Sequence, residues 1–273
     1  MPQTIMITGA STGIGRATAE HFADQGWNVI ATMRRPDDGA ELASRDNVLI
    51  ARLDVTESAS ITAAVDAGIE RFSKIDVLVN NAGYGAFGLL ETFSMDSVKR
   101  QFDTNVIGLI ETTKALIPHF RAKKSGMFVN VSSIGGKITF PLGSLYHGTK
   151  FAVEGISESL HYEMAPLGVK VKIIEPGGVK TDFAGRSLDL AVDPSLTEYE
   201  PIVTPMMAVA SNQSADIAGP EDVAEVIFAA VTDGTGTLRY CGTHDAHETL
   251  NRRNNEDDAT YFAGMKRRLG IVS

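Results

Sequence analysis

Tyr146 and Lys150 stand four residues apart in Tyr146-His147-Gly148-Thr149-Lys150, inside a segment that reads as helical, so their side chains share one helix face. An ammonium held beside a phenol favours the phenolate and lowers a pKa that starts near about 10. The pair is therefore a candidate acid/base for proton transfer near neutral pH. The same spacing also occurs on helices that do no chemistry, so the surrounding elements decide the reading.

Upstream, the apolar, β-branched run Thr4 to Thr8 stops at Gly9, and Ile14 to Gln25 has helical character. Strand, glycine turn and helix open a βαβ unit. The turn Thr8-Gly9-Ala10-Ser11-Thr12-Gly13-Ile14-Gly15 has G-x-x-x-G-x-G spacing rather than G-x-G-x-x-G. Glycines there admit a pyrophosphate to the exposed N–H groups of a helix N-terminus, the alternative being a glycine corner without a ligand. A second strand, Asn28 to Met33, ends in Arg34-Arg35-Pro36, which places Arg34 19 residues past Gly15. In dinucleotide folds an acid near this point selects NAD and an arginine accommodates the 2′-phosphate of NADP. No acid precedes Arg34 at the strand tip, so NADP(H) is preferred; NAD(H) is the alternative if Asp37 or Asp38 turns inward to the ribose.

The alternation continues. Val48 to Leu53 reads as a strand ending in Asp54-Val55, followed by a helix over Thr56 to Phe72 with Thr56 or Asp54 as its N-cap. A short strand, Asp76 to Val79, closes in Asn80-Asn81-Ala82-Gly83. From Met95 to Phe120 apolar residues recur at a helical period through Val98, Phe102, Val106, Leu109 and Leu116, interrupted by Asn105, which would cap a neighbouring backbone or hold water. Strand Met127 to Val131 runs into Ser132-Ser133, and a long helix from about Ser144 to Pro166 carries Tyr146 and Lys150. Strand Val169 to Ile174 and the turn Glu175-Pro176-Gly177-Gly178 follow. The stretch from Thr181 to Ser214 is long for a connection and reads as a functional lid or as carrying short helices. A helix then opens at Pro220-Glu221-Asp222, Leu238 to Cys241 forms a seventh strand, and the tail from His244 to Arg268 is highly charged. Strands alternating with helices imply a parallel sheet with right-handed crossovers.

The chain has 273 residues, ample for one large α/β core, with a net charge of −9 and a pI near 5.2. That balance argues against nucleic acid as a partner. One cysteine, Cys241, excludes an internal disulfide and suits a reducing compartment. The early strand leaves no room for a signal peptide and no apolar run is long enough to span a bilayer, so a cytoplasmic protein without a membrane partner is expected. Cys241, His244 and His247 lie within seven residues, but no second ligand cluster completes a metal site and none is expected. His21, His119, His147 and His161 read as surface or packing residues.

With these residues in order, the chain resembles the classical short-chain dehydrogenase/reductases across about residues 4 to 241. The resemblance rests on Thr8-Gly9-x-x-x-Gly13-Ile14-Gly15, Asp54, Asn80-Asn81-Ala82-Gly83, Asn105, Ser133, Tyr146-x-x-x-Lys150 and Pro176-Gly177 with Thr181. It implies a Rossmann-type α/β fold, a doubly wound parallel sheet of about seven strands with helices on both faces, in one NAD(P)-binding domain over 1–273. A substrate lid over about 181–214 and a charged extension over about 244–273 complete it. Gly9, Ser11, Gly13, Ile14 and Gly15 would line the pyrophosphate and Arg34 the 2′-phosphate, with Asp54 and Val55 at the adenine. Asn81, Ala82 and Gly83 would meet the adenosine ribose side, and Pro176, Gly177, Val179 and Thr181 the nicotinamide and phosphate end. Tyr146 would be the general acid or base, Lys150 would lower its pKa and hold the nicotinamide ribose, Ser133 would bond the substrate oxygen, and Asn105 would hold a relay water.

The apolar residues Phe87, Leu89, Phe140, Leu142, Phe183, Leu188, Met206 and Met207 would line the pocket, which suits a hydrophobic alcohol or ketone, as in the hydroxysteroid and retinol dehydrogenase-like branch. Reduction of a 3-oxoacyl thioester and an NADP-sensing regulator are the alternatives. His147 is expected to point away from Tyr146. The long helices 95–120 and 144–166 would form the interface of a homodimer or homotetramer, with Ile107 and Ile110 on it.

Overall fold

The computed structural model describes residues 2–181, 188–211 and 217–271. Seven strands, β1 (Thr4–Ile7), β2 (Asn28–Met33), β3 (Val48–Arg52), β4 (Val77–Asn80), β6 (Gly126–Val131), β7 (Val169–Glu175) and β9 (Arg239–Cys241), form one parallel sheet. Its order is β3-β2-β1-β4-β6-β7-β9. The central strands β1 and β4 are buried at every residue, the pattern of strands covered on both faces. A separate two-stranded parallel pair joins β5 (Gly85–Gly88) to β8 (Leu188–Ala191). The helices are α1 (Gly13–Asp24), α2 (Ser58–Phe72), α3 (Met95–Phe102), α4 (Gly108–Lys123), α5 (Ser144–Met164), α6 (Glu200–Ser211), α7 (Pro220–Thr232), α8 (His244–Asn255) and α9 (Asp258–Leu269).

Two cores sandwich the sheet. On one face Phe22 of α1 and Val223 and Ile227 of α7 pack on Ile5, Ile7, Val29 and Val129. On the other, Ile61 and Val65 of α2, Leu116 and Phe120 of α4 and Leu160 of α5 cover Met6, Ile30, Leu78 and Phe128. Strand order reverses between β1 and β4, which opens a crevice at their carboxyl ends where ligands bind in such sheets. The expected fold class is the one observed.

Three local expectations are corrected. The segment read as one helix from Met95 to Phe120 is two helices joined by a π-helical turn, Asp103–Ile107, that contains Asn105. Neither Thr56 nor Asp54 caps α2: Glu57 occupies that position, and Asp54 instead accepts the Thr56 N–H at 3.0 Å and its hydroxyl at 2.7 Å. The charged C-terminal stretch folds as α8 and α9, and Leu250, Tyr261, Met265 and Leu269 bury against Ile138, Phe140 and Met206. In the stretch expected to form a lid, β8, a 3-10 turn at Thr197–Tyr199 and α6 are described; Phe183 and Ser214 lie outside the described residues.

Candidate active site

Thr8 at the end of β1 organises the crevice. Its hydroxyl accepts the N–H groups of Asn81 and Ala82, each at 3.0 Å, while the Asn81 amide donates to the Thr8 and Gly9 carbonyls at 2.9 and 3.2 Å. The first glycine turn is thereby stapled to the Asn81-Ala82-Gly83 turn after β4. Gly9 has φ +68°, and a Cβ there would sit 3.0 Å from Ala82 Cα. A Cβ on Gly15 would come within 2.3 Å of the Gly9 carbonyl oxygen, so that position accepts only glycine. Gly13 lies beneath the Thr181 methyl, which brings together two stretches predicted to meet one ligand.

The N-terminus of α1 has no side-chain cap from Thr12 and no acid in its first turn. Its first N–H groups therefore have no side-chain acceptor from Thr12, and with the positive end of the dipole they offer the chemistry a pyrophosphate needs. At the tip of β2, Arg35 is paired with Asp38 at 3.0 Å, whereas Arg34 is exposed and has no ion pair among the described residues. The charge of Arg34 helps hold the half-buried Asp54 carboxyl below its ordinary range against the larger, opposing effect of burial, together with the Thr56 hydrogen bonds. Val55 is buried beside Gly108 of α4. These residues fit a dinucleotide.

Ser133, at the end of β6, accepts the Gly135 N–H at 3.0 Å and sits within hydrogen-bond reach of the Tyr146 hydroxyl. Burial pushes the Tyr146 phenol above its ordinary value and the Ser133 hydrogen bond draws it back. The expected lowering by Lys150 is not what the structure gives, because the ammonium donates to the Val131 carbonyl at 2.9 Å and lies 5.8 Å from the phenol ring centre. Burial lowers Lys150 itself to about 8, opposed by the charge of Glu154 one turn on.

Asn105 makes no contact with Lys150 among its recorded bonds. Its Oδ1 accepts the Tyr84 N–H at 3.0 Å, and its Nδ2 donates to the Tyr84 carbonyl at 2.9 Å and to Thr149 Oγ1 at 3.1 Å. Thr149 in turn donates to the Tyr146 carbonyl at 2.8 Å. Gln101, not singled out from the sequence, is fully buried and donates to the same Tyr84 carbonyl at 2.9 Å. His147 is buried as a packing residue. Its Nδ1 contacts the Gly135 carbonyl at 2.9 Å, its Nε2 accepts the Phe140 N–H at 3.1 Å, and its ring meets that of Tyr146 edge-on at 5.9 Å.

At the other end, the Pro176-Gly177 loop is held by α8. Gly177 N–H donates to Thr243 Oγ1 at 2.9 Å and Gly178 N–H to Asp245 Oδ2 at 3.0 Å. Sequence reasoning missed both residues, since a side chain that recognises backbone N–H groups leaves no spacing motif. Val179 forms a parallel bridge with Ala218.

Over Tyr146 lies an aromatic wall. Phe87 stacks nearly parallel on Phe140 at 6.0 Å between centroids and tilts over Tyr146 at 5.1 Å. Leu142 holds a left-handed backbone, φ +65°, and its carbonyl accepts the Gly88 N–H at 2.6 Å, joining the two lips of the cleft. Leu188 and Met206 are half-buried, Met207 is exposed, and Leu89 belongs to the core. Among the described residues no helix is long and apolar enough to cross a membrane.

Comparison with known proteins agrees with this geometry. The profile of the family described as short chain dehydrogenase matches residues 3–189. An uncharacterized oxidoreductase of Schizosaccharomyces pombe is 41% identical over 239 residues, covering 88% of this chain and 100% of the relative. A short-chain dehydrogenase from Streptomyces avermitilis superposes with a TM-score of 0.84 at 32% identity, covering 99% and 98% of the two chains. The NADP-bound structure of ElxO has a TM-score of 0.73 at 26% identity, covering 89% and 98%. A 3-ketoacyl-(acyl-carrier-protein) reductase from Brucella melitensis, complexed with NADH, has a TM-score of 0.74 at 25% identity, covering 88% and 97%. A parallel sheet with a stapled glycine turn, a Ser-Tyr-Lys group at its carboxyl edge and a matching family profile place this chain in the short-chain dehydrogenase family, as an oxidoreductase acting on CH–OH or C=O groups.

Proposed function

We propose that the protein is an NADP(H)-dependent oxidoreductase that interconverts a hydrophobic ketone and its secondary alcohol, with Tyr146 as the proton-transfer group. The observation that carries this reading is the convergence of Ser133, Tyr146 and Lys150 beneath the Phe87–Phe140 pair. A nicotinamide cofactor, when bound, supplies or accepts the hydride. Gly9, Ser11, Gly13, Ile14 and Gly15 would hold its pyrophosphate at the open end of α1, and Arg34 the 2′-phosphate. Asp54, Val55, Asn81, Ala82 and Gly83 would line the adenosine side, and Pro176, Gly177, Val179 and Thr181 the nicotinamide end.

In the reducing direction Tyr146 donates its proton to the carbonyl oxygen, and in oxidation it takes that proton back. A phenol raised by burial keeps its proton at neutral pH, the form that reduction requires. Ser133 donates a hydrogen bond to the same oxygen as charge develops there. Lys150 brings an ammonium to the site, held by the Val131 carbonyl, where it would bind the nicotinamide ribose. Asn105 sets the Tyr84 backbone and Thr149 around it. The aromatic wall, continued by half-buried Leu188 and Met206, excludes water and selects an apolar substrate. A homodimer or homotetramer through α4 and α5 is part of the same proposal, supported by exposed Ile107 and Phe151.

A screen of NADPH oxidation and NADP reduction over ketones, aldehydes and alcohols tests it. Turnover of apolar secondary alcohols or their ketones is expected. Complete inactivity with tightly bound cofactor would overturn the enzymatic reading.

A further inference from the structure

Behind Lys150 lie two buried carboxylates that the acid/base scheme does not use. Glu154, one turn beyond Lys150 on α5, is 5% exposed, and Glu175, the last residue of β7, is 3% exposed. Each has an Oε1 atom buried without a hydrogen-bond donor. The positive charge beside them is shared. Arg239 Nε is 3.1 Å from Glu154 Oε2 and 3.6 Å from Glu175 Oε1, and the same guanidinium also binds the exposed Glu158. Lys137, after the Ser133 turn, and Cys241 on β9 complete the titratable surroundings of Glu175, and Lys150 those of Glu154.

Two ionised carboxylates out of water, sharing one guanidinium with a third and each leaving an oxygen without a donor, is a costly arrangement. The carboxyl groups are within hydrogen-bond reach of each other, so a single proton between them would satisfy both orphaned oxygens and leave one charge against Arg239. Burial and the neighbouring Glu154 raise Glu175 to about 7, in the same sense. Glu154 also packs directly on the catalytic elements. A Cβ on Gly136, in the turn that follows Ser133, would lie 2.8 Å from Glu154 Cγ and 2.9 Å from the Lys150 carbonyl oxygen.

We propose that Glu154 and Glu175 share one proton, and that this pair is a positioning element for the active site, Glu154 supplying the negative charge that keeps Lys150 in its ammonium form. The second part rests on the reading of Tyr146 and Lys150 as the proton-transfer pair. Glu154 acts through Lys150 and would touch neither substrate nor cofactor.

Two measurements without turnover decide it. Infrared spectra in D2O at pH 6 should show a protonated-carboxyl stretch that fades as pH rises through about 7 and is absent from Glu175→Gln. In protein labelled with 13C,15N-lysine, with the Lys150 resonance assigned by its loss in Lys150→Met, the Lys150 midpoint near 8 should fall by about one pH unit in Glu154→Gln and stay in place in Glu175→Gln. If Glu154→Gln does not fold, the double variant Glu154→Gln/Arg239→Met removes the counter-charge with it, and a fall in the same direction but smaller is expected. Absence of the infrared band in the wild-type protein overturns the shared proton. An unmoved Lys150 midpoint, or equal falls in both variants, overturns the link to Lys150. Failure of the oxidoreductase screen leaves both readouts intact and counts only against the acid/base reading.

Discussion

Asn105 grips both backbone polar groups of Tyr84, accepting its N–H at 3.0 Å and donating to its carbonyl at 2.9 Å. Within an α-helix at this position the amide would point elsewhere; the π-helical turn at Asp103–Ile107 aims it across the cleft, a common use of such turns. Asn105→Ala leaves the Tyr84 N–H without its acceptor, while the carbonyl keeps its bond from Gln101, and is expected to lower stability by about 1–3 kcal/mol and to reduce turnover. Denaturant unfolding with steady-state kinetics checks both, and a variant with wild-type stability would sink this role.

Tyr146→Phe keeps the ring against Phe87 and removes the hydroxyl next to Ser133. Turnover should fall by about 10²–10⁴-fold while the cofactor still binds. Cofactor fluorescence titration beside the kinetic assay separates the two, and undiminished turnover refutes the assignment.

Arg34 lacks the carboxylate partner that Arg35 has in Asp38 among the described residues. Removing a charge-assisted bond to a phosphate costs about 1.5–3 kcal/mol, so Arg34→Ala should weaken NADP binding about 10- to 100-fold and leave NAD binding nearly unchanged. Calorimetry with both cofactors measures it; equal losses for the two would remove Arg34 from the 2′-phosphate.

Glu175 gives stability a pH dependence of definite sign. Its folded pKa of about 7 lies above that of an ordinary carboxyl, so between the ordinary carboxylate range and about pH 7 the folded state holds a proton that the unfolded chain has lost. Stability from this group is full at low pH and declines as pH rises through that window. Glu175→Gln should flatten the decline, making the variant relatively more stable at pH 8 than at pH 5. Unfolding curves at the two pH values are the check.

Much of the site was legible because its parts announce themselves locally. The glycine turn, Arg34, Ser133, Tyr146 and Lys150 sit at strand ends or at helix spacing, and the strands that present them were readable to within a residue or two. The π-helical turn was hidden because apolar residues keep a helical period on both sides of Asn105, from Phe102 to Leu109, and one polar residue in such a run does not announce a change of helix type. Strands β5 and β8 escaped notice because Gly-Ala-Phe-Gly and Leu-Asp-Leu-Ala are four residues each. Helix α8 is polar on most of its surface, burying Ala246, Thr249 and Leu250, so charge alone suggested a tail. Thr243 and Asp245 act on partners distant in sequence, and Glu154 and Glu175 meet each other and Arg239 only through the fold, which no single stretch reveals.

The pairing of β5 with β8 joins Phe87 to Leu190, and Arg100 to Asp189 across its rim, over about a hundred residues of intervening chain. Such a contact forms after the main sheet has brought its ends together, and two short strands gain little from each other alone. This rim of the cleft is thus expected to form late and to open first. Amide hydrogens that hold this pair, that of Leu89 on the Ala191 carbonyl among them, should exchange with solvent well before those of β1 and β4, through openings that leave the glycine turns intact.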